Sequence, residues 1–498
     1  MIRTIQFAFC LHNHQPVGNL DFVIEGAYRQ AYLPFLEVLE RHPSICMTLH
    51  WSGALIDWLE AAHPDYLKRV RRLVERGQIE VLGGGYYEPI LPSIPDRDKV
   101  GQIEKLTAKV EELFGMKPEG MWLAERVWEP SLPKPIAQAD IRYAIIDDEH
   151  FKGAGLTEEE TFGAFLTEEQ GSPLVLFPSN ATARDSMPFR SPEGAVELLV
   201  ERAGEDPSRL LVMADDGEKF GDWPTTYETV YEQGWLETFF HLLEEHASVI
   251  RLTTFGRYLA EHRPRGKLYL PTASYMEMTR WALPPALIAR FDALRRHLEE
   301  TGQWDEVRTL VRGGFWRSFL VKYPEAGRIH AKMMRVSEKV DKLEESGVDR
   351  QTVEEARTAL WKGQDNDPYW HGVFGGIYIP HLRAATYASL LEAEAIADSH
   401  LLPAGDVHIE TVDYDRDGTE EIIAEGPALA AIFRPEKGGT LIGLDLKRQG
   451  VNLLNTFTRR REAYHAELPA DELVYDRYPR VALLDHCLGP GTTLKAFA

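Results

Sequence analysis

Cysteine, long apolar runs and excess positive charge are what this chain lacks. Its 498 residues include three cysteines, Cys10, Cys46 and Cys487, which are too few and too scattered for a disulfide framework or a zinc knuckle. It contains no run of eighteen apolar residues, which argues against a membrane span. Its formal net charge of −23 repels phosphate backbones and argues against nucleic acid as a partner.

A secretory signal is also missing from the first residues. MIRTIQFAFC has no separate charged region, apolar core and small-residue cleavage site, so we expect a protein of the reducing cytoplasm. Neither an internal repeat nor a low-complexity segment is found. The composition, 44% hydrophobic and 27% charged, is typical of a globular protein, and the length predicts about two to four domains.

Short apolar runs alternate with amphipathic helical patterns through the first 282 residues, which predicts an α/β fold with a parallel sheet. The predicted strands are 5–10, 45–49, 79–82, 120–124, 142–146, 174–177 and 209–214. Polar and aromatic clusters follow most of these strands, whereas a doubly wound sheet would concentrate its ligand contacts at one switch point. The pattern therefore favours a barrel with its site at the carboxyl ends of the strands.

The remainder of the chain divides into two further segments. From 283 to 402 the pattern is helical, interrupted by the polar and aromatic loop GQDNDPYWHGVFGG. After Pro403 a strand-like alternation takes over. We therefore predict three domains, 1–282, 283–402 and 403–498, the first a barrel, the second helical and the third rich in β-structure.

Two carboxylates carry the clearest chemical signal. Glu125 and Asp216 each follow a predicted strand, and both are flanked by tryptophans, at positions 122, 128 and 223. Cleavage of a glycosidic bond needs two acids, one to attack or stabilise the anomeric centre and one to protonate the leaving oxygen. Tryptophan stacks on the apolar face of a sugar ring. This pairing predicts an enzyme that cleaves sugars.

Five short motifs, in order, resemble those of glycoside hydrolase family 57, in its 4-α-glucanotransferase and α-amylase group. They are HNHQP (12–16), GGGYYEP (83–89), WLAERVWEP (122–130), DDGEKFG (215–221) and NDPYWHGVFGG (366–376). The resemblance extends between the motifs and covers nearly the whole chain. It implies an incomplete (β/α)7 TIM-like barrel, a helical segment that returns the fifth motif to the site, and a C-terminal β-sandwich-like domain. The family's sandwich is longer than the 95 residues after Pro403, so we expect a shortened, truncated domain here.

By resemblance, Glu125 is the nucleophile and Asp216 the general acid/base of a retaining reaction. Arg126 should then help to hold the pKa of Glu125 low, while Asp215 and Glu218 should raise that of Asp216. Two alternatives stay open: Asp215 could carry the proton instead, and both acids could be ordinary surface groups at strand ends.

The resemblance also implies a set of substrate-binding residues: His12, His14, Glu88, Trp122, Glu218, Asp367, Trp370 and His371. His12 and His14 alternate, so in a strand they would share one face. They could bind sugar hydroxyls, begin a zinc site with His150, or be structural. Glu88 could instead pair with a barrel arginine. Trp122 and Trp370 are the predicted stacking platforms, and Trp370 could also belong to the helical core.

A third signal lies in DYDRDGTEE, where Asp413, Asp415, Asp417 and Glu421 surround Gly418. Alternating oxygen ligands and a hinge glycine are typical of a calcium loop, but the bidentate glutamate at the twelfth position is missing. The segment predicts either a structural calcium site or a solvated turn.

The function that we predict is transfer of α-1,4-glucan segments between glucans, through a covalent glucosyl-enzyme intermediate and without a catalytic cofactor. Hydrolysis of the same bonds, as in an α-amylase, is the alternative. A zinc-dependent barrel hydrolase is a more distant alternative, and the two carboxylates argue against a non-catalytic glucan-binding protein. The sequence leaves open whether the chain forms a homo-oligomer.

Overall fold

The computed structural model describes residues 3–403, 405–469 and 473–497. The chain divides into two compact units. The first comprises Met1–Lys322 together with Gln364–Gly376, and the second comprises Tyr323–Gly363 and Ile377–Ala498. The fifth motif therefore belongs to the first unit, although the helices on both sides of it belong to the second.

The first unit is built on a mostly parallel sheet. Its strands are β1 (Ile5–Asn13), β2 (Met47–Trp51), β3 (Ile79–Val81), β4 (Gly120–Trp122), β5 (Tyr143–Asp147), β6 (Phe165–Glu169), β7 (Ser172–Ser179), β8 (Leu210–Asp216) and β9 (Ile250–Thr253). The seven strands predicted from the sequence are all present. The sequence pattern missed β6 and β9.

The strand order is β3-β2-β1-β8-β7-β5-β4, with β9 parallel to the start of β1 and β6 antiparallel to β7. A single parallel bridge joins Gly83, beyond β3, to Met121 in β4, so that the two ends of the sheet meet. All nine residues of β1 are buried, as expected for a parallel strand that is covered on both faces. This is the incomplete TIM-like barrel that the resemblance implied.

Helices follow most of the strands. They are α1 (Asp21–Ala27), α2 (Leu33–Arg41), α3 (Gly53–Ala62), α4 (Pro64–Glu75), α5 (Asp96–Phe114), α6 (Pro133–Gln138), α7 (Glu149–Gly153), α8 (Ala181–Ser186), α9 (Pro192–Glu201), α10 (Trp235–Glu245), α11 (Phe255–Glu261), α12 (Met276–Trp281), α13 (Pro285–Glu300), α14 (Trp304–Val307) and α15 (Phe319–Lys322). In α4, the buried Tyr66, Leu67, Val70 and Leu73 recur at helical spacing. Among the described residues, no helix combines the length and apolar character that a bilayer crossing requires.

The second unit combines α16 (Pro324–Glu345), α17 (Arg350–Lys362), α18 (Pro380–Leu401) and α19 (Leu494–Phe497) with one antiparallel sheet. The sheet contains, in order, β10 (His408–Val412), β11 (Glu421–Glu425), β12 (Leu429–Arg434), β13 (Thr440–Leu446) and β14 (Val451–Asn452). Ala331 of α16 packs against Ile423, Ile432 and Ile442 of the sheet. The helical segment and the β-rich segment thus share one core.

Candidate active site

The carboxyl ends of three neighbouring strands bring the first and fourth motifs together. In the parallel register, His12 of β1 lies opposite Asp216 of β8 and opposite His50 of β2. Beyond β8 the backbone runs against the loop after β1, because the Gly217 N–H donates to the His12 carbonyl at 2.6 Å. A Cβ atom on Gly217 would lie 2.0 Å from the Asn13 side chain, so this close approach requires glycine.

Glu125 lies on a short 3₁₀ turn, Ala124–Arg126, that follows β4. Its φ is +51° and that of Arg126 is +49°, a left-handed conformation that non-glycine residues adopt mainly where the surroundings enforce it. Two residues before α12 hold this turn. The Ser274 hydroxyl donates to the Glu125 carbonyl at 2.6 Å, and the Tyr275 hydroxyl donates to Glu125 Oε2 at 2.5 Å.

The two neighbouring aspartates at the end of β8 differ in their surroundings. Asp215 is buried, with its carboxylate 2.7 Å from Lys219 Nζ and 3.5 Å from Arg126 Nη1. Burial would raise the pKa of Asp215, but the positive charges of Lys219, Arg184 and Arg126 outweigh it and lower the pKa. Asp216 is partly exposed, and burial together with the charge of Asp215 raises its pKa to about 6. Asp216 is therefore the aspartate that can carry a proton near neutral pH.

Glu125 also has a raised pKa, about 7, chiefly because of burial and then because of the charge of Asp216. Arg126 lowers this pKa, as predicted, but it does not bring the pKa down to the usual value of a glutamate. The Arg126 guanidinium is directed at Asp215 and lies over the ring of Tyr275, 4.6 Å from its centroid. Its attraction for Glu125 is smaller than the combined effect of burial and Asp216. The charge of Asp216 therefore favours the protonated form of Glu125.

The two motif histidines do share a face, as predicted, since their rings lie parallel with centroids 5.8 Å apart. His12 Nδ1 is hydrogen-bonded to His50 Nδ1 at 2.8 Å, and burial lowers the pKa of both rings, that of His50 to about 3. His14 differs because its Nε2 lies 3.0 Å from Asp367 Oδ2. Burial opposes the positive charge on His14, but the Asp367 carboxylate overcomes it and raises the pKa to about 10.

Glu88 follows the glycine and tyrosine motif with a φ of +52°. Its Oε1 lies 3.5 Å from Nε2 of His12, so its neighbour is a histidine of the site and not the barrel arginine considered above. Burial raises the pKa of Glu88 to about 8, against the attraction of His14. A Cβ on Gly84 would lie 2.9 Å from His50 Nε2, which explains why glycines precede this residue.

The loop that carries the fifth motif lies in the same unit and reaches the loop after β1. Besides the pairing of Asp367 with His14, Asp365 accepts a hydrogen bond from the Val17 N–H at 2.6 Å. Trp370 donates its indole N–H to Asn366 at 2.8 Å and packs near Trp281 and Phe319. The His371 Nδ1 is bonded to the carbonyls of Phe374 and Gly375. Asp367 thus contacts a predicted site residue directly, whereas Trp370 and His371 bond to other residues of their own loop.

Glu218 joins the fourth motif to the first. Its Oε1 accepts the His14 backbone N–H at 2.9 Å and also a hydrogen bond from the Tyr32 hydroxyl. Burial, together with the charge of Asp216, raises the pKa of Glu218 to about 7.

Several buried polar atoms of the site have no hydrogen-bond partner among the described residues. They include His14 Nδ1, His50 Nε2, Glu88 Oε1, Trp122 Nε1 and Arg126 Nε. Trp122 is 2% exposed and one of its faces is covered by His12, with centroids 4.6 Å apart, so it does not offer the stacking platform that the sequence predicted. Buried polar groups are nearly always satisfied in folded proteins, so this set of polar atoms is typical of a site for a ligand rich in hydroxyl groups.

Two groups of residues bear on the metal predictions. His12, His50 and Glu88 lie close enough to hold an ion, whereas the zinc hypothesis relied on His150, which bonds the Asp147 carbonyl.

At the predicted calcium loop, Asp413 accepts hydrogen bonds from the backbone N–H groups of Asp417 and Gly418. Arg434 binds both Asp415 and Glu421 and lies 3.8 Å from Asp417. Asp413, Asp415 and Glu421 nevertheless lie close enough together to hold an ion, and calcium binding remains a prediction.

Sequence reasoning gave no role to several residues of the site, chiefly His50, Tyr275, Ser274, Tyr32 and Lys219. His50 stands at the end of a predicted strand, where a polar cluster had been noted, so the strand register could have identified it. Tyr275 lies 150 residues from Glu125 in the chain, and no spacing rule connects the two.

Three family models match this chain. Residues 8–271 match glycosyl hydrolase family 57, residues 314–397 match the middle domain of α-amylase/4-α-glucanotransferase, and residues 413–471 match the C-terminal domain of the same group. The first match covers more than half of the sequence.

Characterised relatives and solved structures agree with these matches. The chain is 45% identical to α-amylase 1 of Dictyoglomus thermophilum, over 94% of this chain and 67% of that protein. It is 41% identical to the α-amylase of Pyrococcus horikoshii over 99% of this chain and 76% of that protein. The crystal structure of 4-α-glucanotransferase from Thermococcus litoralis superimposes with a TM-score of 0.93 at 41% identity, covering 100% of this chain and 75% of that one. The chain belongs to glycosyl hydrolase family 57.

Proposed function

We propose that this protein cleaves α-1,4-glucosidic bonds with retention of configuration and transfers the released glucan segment to another glucan. The observation that carries the proposal is the pair Glu125 and Asp216. Both acids follow barrel strands at their carboxyl ends, both are partly exposed, and the charge of Asp216 raises the pKa of Glu125. Two neighbouring acids, one to attack the anomeric carbon and one to carry the proton, are what double displacement at a sugar requires.

In the first step, the Glu125 carboxylate attacks the anomeric carbon while Asp216 gives its proton to the leaving oxygen. The glycosidic bond breaks, and an ester forms between the sugar and Glu125. The Tyr275 hydroxyl favours the ionised form of Glu125 by donating a hydrogen bond to it. Asp215, held ionised by Lys219 and Arg126, raises the pKa of Asp216 and so favours its protonation before the step.

In the second step, the 4-hydroxyl of an acceptor glucan attacks the same carbon. Asp216 now takes the hydroxyl proton, the ester bond breaks, and Glu125 leaves as a carboxylate. Water in place of the acceptor gives hydrolysis, which is the second candidate function. The relatives include proteins named α-amylase and proteins named 4-α-glucanotransferase at similar identity, so both outcomes fit the site.

The sugar that is attacked would be bound by the polar groups around the pair. We assign hydrogen bonds to its hydroxyls from His12, Glu88 and the Trp122 N–H, and a supporting role to the ion pair of His14 and Asp367. Glu218 would orient the loop after β1 through the His14 N–H. Trp370 and His371 would shape the fifth-motif loop on which Asp367 lies.

The test is incubation of the purified protein with maltoheptaose, followed by chromatography and NMR of the products. A ladder of longer and shorter α-anomeric oligomers is the result expected for transfer with retention. Shorter sugars alone would indicate hydrolysis. The absence of cleavage, or first-formed β-anomers, would overturn the proposal. A parallel sample treated with a chelator and analysed for metals tests the zinc alternative, which requires one zinc per chain and loss of activity on its removal.

A further inference from the structure

Beside Lys219, which binds Asp215, three aromatic rings form a surface that the proposed chemistry has not used. They are Phe189, Trp223 and Phe374, here called the aromatic triad. Phe189 is 58% exposed and Phe374 is 64% exposed, while Trp223 is half-buried between them. The rings of Phe189 and Trp223 are stacked with centroids 6.3 Å apart, and the ring of Phe374 lies 6.3 Å from that of Trp223. Single exposed rings are common on protein surfaces, whereas a contiguous group of exposed rings is typical of an interaction or ligand-binding site.

The triad is continuous with the acid/base end of the site. Lys219, whose Nζ binds Asp215, lies over both Phe189 and Trp223, with its Nζ 5.1 Å and 5.8 Å from the ring centroids. The backbone N–H of Trp223 donates to the Glu218 carbonyl at 3.2 Å. The triad is therefore joined, through Lys219 and the Glu218 carbonyl, to the end of β8 on which Asp215 and Asp216 lie.

The backbones that carry the rings are held in place. The Trp235 indole donates to the Arg190 carbonyl at 2.5 Å, next to Phe189. The Thr226 hydroxyl donates to the Trp223 carbonyl at 2.7 Å, and His371 bonds the Phe374 carbonyl at 2.9 Å. A surface held in this way loses little freedom when a ligand binds.

We propose that the aromatic triad is the acceptor platform of this enzyme, on which the incoming glucan chain stacks, and that it determines how much transfer occurs relative to hydrolysis. The inference rests on the proposed function. The general acid/base serves the oxygen of the leaving or incoming sugar, so a surface on its side meets that sugar and not the sugar attached to Glu125. Successive glucose rings offer apolar faces to aromatic rings, whereas water gains nothing from the triad.

The experiment uses α-maltosyl fluoride as donor and maltotriose as acceptor, with the full chain. The carbon–fluorine bond breaks, fluoride leaves, and Glu125 forms the ester. The maltotriose 4-hydroxyl or water then breaks the ester and gives its proton to Asp216. The quantity measured is the amount of transfer product formed per fluoride released, which does not depend on how fast the ester forms.

In Phe189→Ala, Trp223→Ala and Phe374→Ala we expect this ratio to fall by roughly tenfold at a fixed, low acceptor concentration, with the largest fall for Trp223→Ala. Raising the acceptor concentration should restore the ratio, because the loss is one of acceptor binding. The control is Tyr269→Ala, which removes a ring that is 61% exposed and bonded to Glu168 of β6. Its ratio should match that of the wild type, and thermal unfolding of all four variants should show that they are folded.

A ratio that stays at the wild-type value in all three triad variants would overturn the platform, and so would an equal fall in Tyr269→Ala. Failure of the proposed function would look different, because the wild-type protein would then release no fluoride and cleave no maltoheptaose.

Discussion

Each compact unit of this molecule contains a cluster of buried or half-buried ionisable groups, and the two clusters are built in opposite ways. In the first unit, Glu88, Glu125, Asp216 and Glu218 lie together with few cations directed at them, and the pKa of each is raised. In the second unit, Lys332, Lys339 and Lys447 are interleaved with Glu394, Asp398, Glu425 and Asp445 at ion-pair distances.

In the second cluster the pKa values of Glu394 and Glu425 are lowered, whereas in the first cluster those of all four acids are raised. Burial would raise the pKa of Glu394, but Lys332, Lys339 and Lys447 outweigh it and hold the pKa well below its usual range. Glu425 likewise has a pKa of about 2, since Lys339 and Arg335 overcome the effect of burial. Paired charges fix their protonation state and hold α16, α18 and the sheet together, whereas unpaired acids keep exchangeable protons. The contrast separates groups kept for chemistry from groups kept for structure.

The largest effect expected is on the rate of the chemistry. Glu125→Gln should lower glucan cleavage by about a thousandfold or more, because no other group can form the ester. Azide should restore turnover of an activated donor to Glu125→Gly. The matched control is Glu119→Gln, which alters an exposed acid just before the other end of β4. Near-normal cleavage by Glu125→Gln, measured by product chromatography, would remove Glu125 from the mechanism.

The next largest effect tests the structural cluster. Glu394→Gln leaves three lysines partly uncompensated, so we expect the free energy of unfolding to fall by about 3–5 kcal/mol, with cleavage per folded molecule unchanged. Glu392→Gln, an exposed position on the same helix, should change it by less than about 0.5 kcal/mol. Urea unfolding curves give both values. Similar curves for the two variants would contradict the assignment of this cluster to stability.

A smaller effect is expected on the pH dependence of stability, which should have opposite signs for an acid of the first cluster and an acid of the second. Glu88 has a folded pKa of about 8, above its unfolded value, so the wild type loses stability as pH rises between the two values. Glu88→Gln should therefore be more stable than the wild type at pH 8, on the order of 1–3 kcal/mol, and nearly equal to it at pH 5. The pKa of Glu425 in the folded protein lies below its unfolded value, so Glu425 stabilises the fold at neutral pH and this stabilisation is lost as pH falls toward 2. Glu425→Gln should therefore be less stable than the wild type at neutral pH, and the difference should shrink as pH falls. Equal destabilisation by Glu88→Gln at pH 5 and pH 8 would be evidence against the raised pKa.

The smallest effect concerns the positioning of Glu125. Tyr275→Phe removes a hydrogen bond that favours the ionised carboxylate, so the acidic limb of the rate profile of an activated donor should move to higher pH. At pH 6 we expect a loss of roughly tenfold that diminishes toward pH 8. Tyr258→Phe, which loses a hydrogen bond to the Ser208 carbonyl, serves as the control. A uniform loss at every pH would indicate a packing defect instead.

The sequence predicted the barrel strands, and it placed Glu125 and Asp216 after the ends of two of them, because both are local signals. Apolar runs mark β1, β2 and β8, and the polar clusters after them mark the edge where Glu125 and Asp216 emerge. The strands β6 and β9 were missed because FLTEE and IRLT are short and mixed in polarity. The partners of the site were also missed where they are distant in the chain, as with Tyr275.

The sequence also could not predict which charged groups pair with each other, because the partners are set by tertiary contacts. Arg126 follows Glu125 directly, and the sequence suggested that the two interact, but the left-handed turn directs the guanidinium at Asp215 and Tyr275. In the second unit, Lys332 meets Glu394 and Asp445, which are 62 and 113 residues away. Which acids are paired and which are unpaired depends on tertiary contacts.

The most direct test of the account is to trap the covalent intermediate. A 5-fluoro-α-glucosyl fluoride should form the ester faster than it is released, and peptide mass spectrometry of the digested protein then locates the sugar. The account predicts one glucosyl group per chain on Glu125, formed also in Asp216→Asn when the activated donor is used. A label on Glu88, Glu218 or another acid, or an absence of label in a protein that still cleaves maltoheptaose, would contradict it.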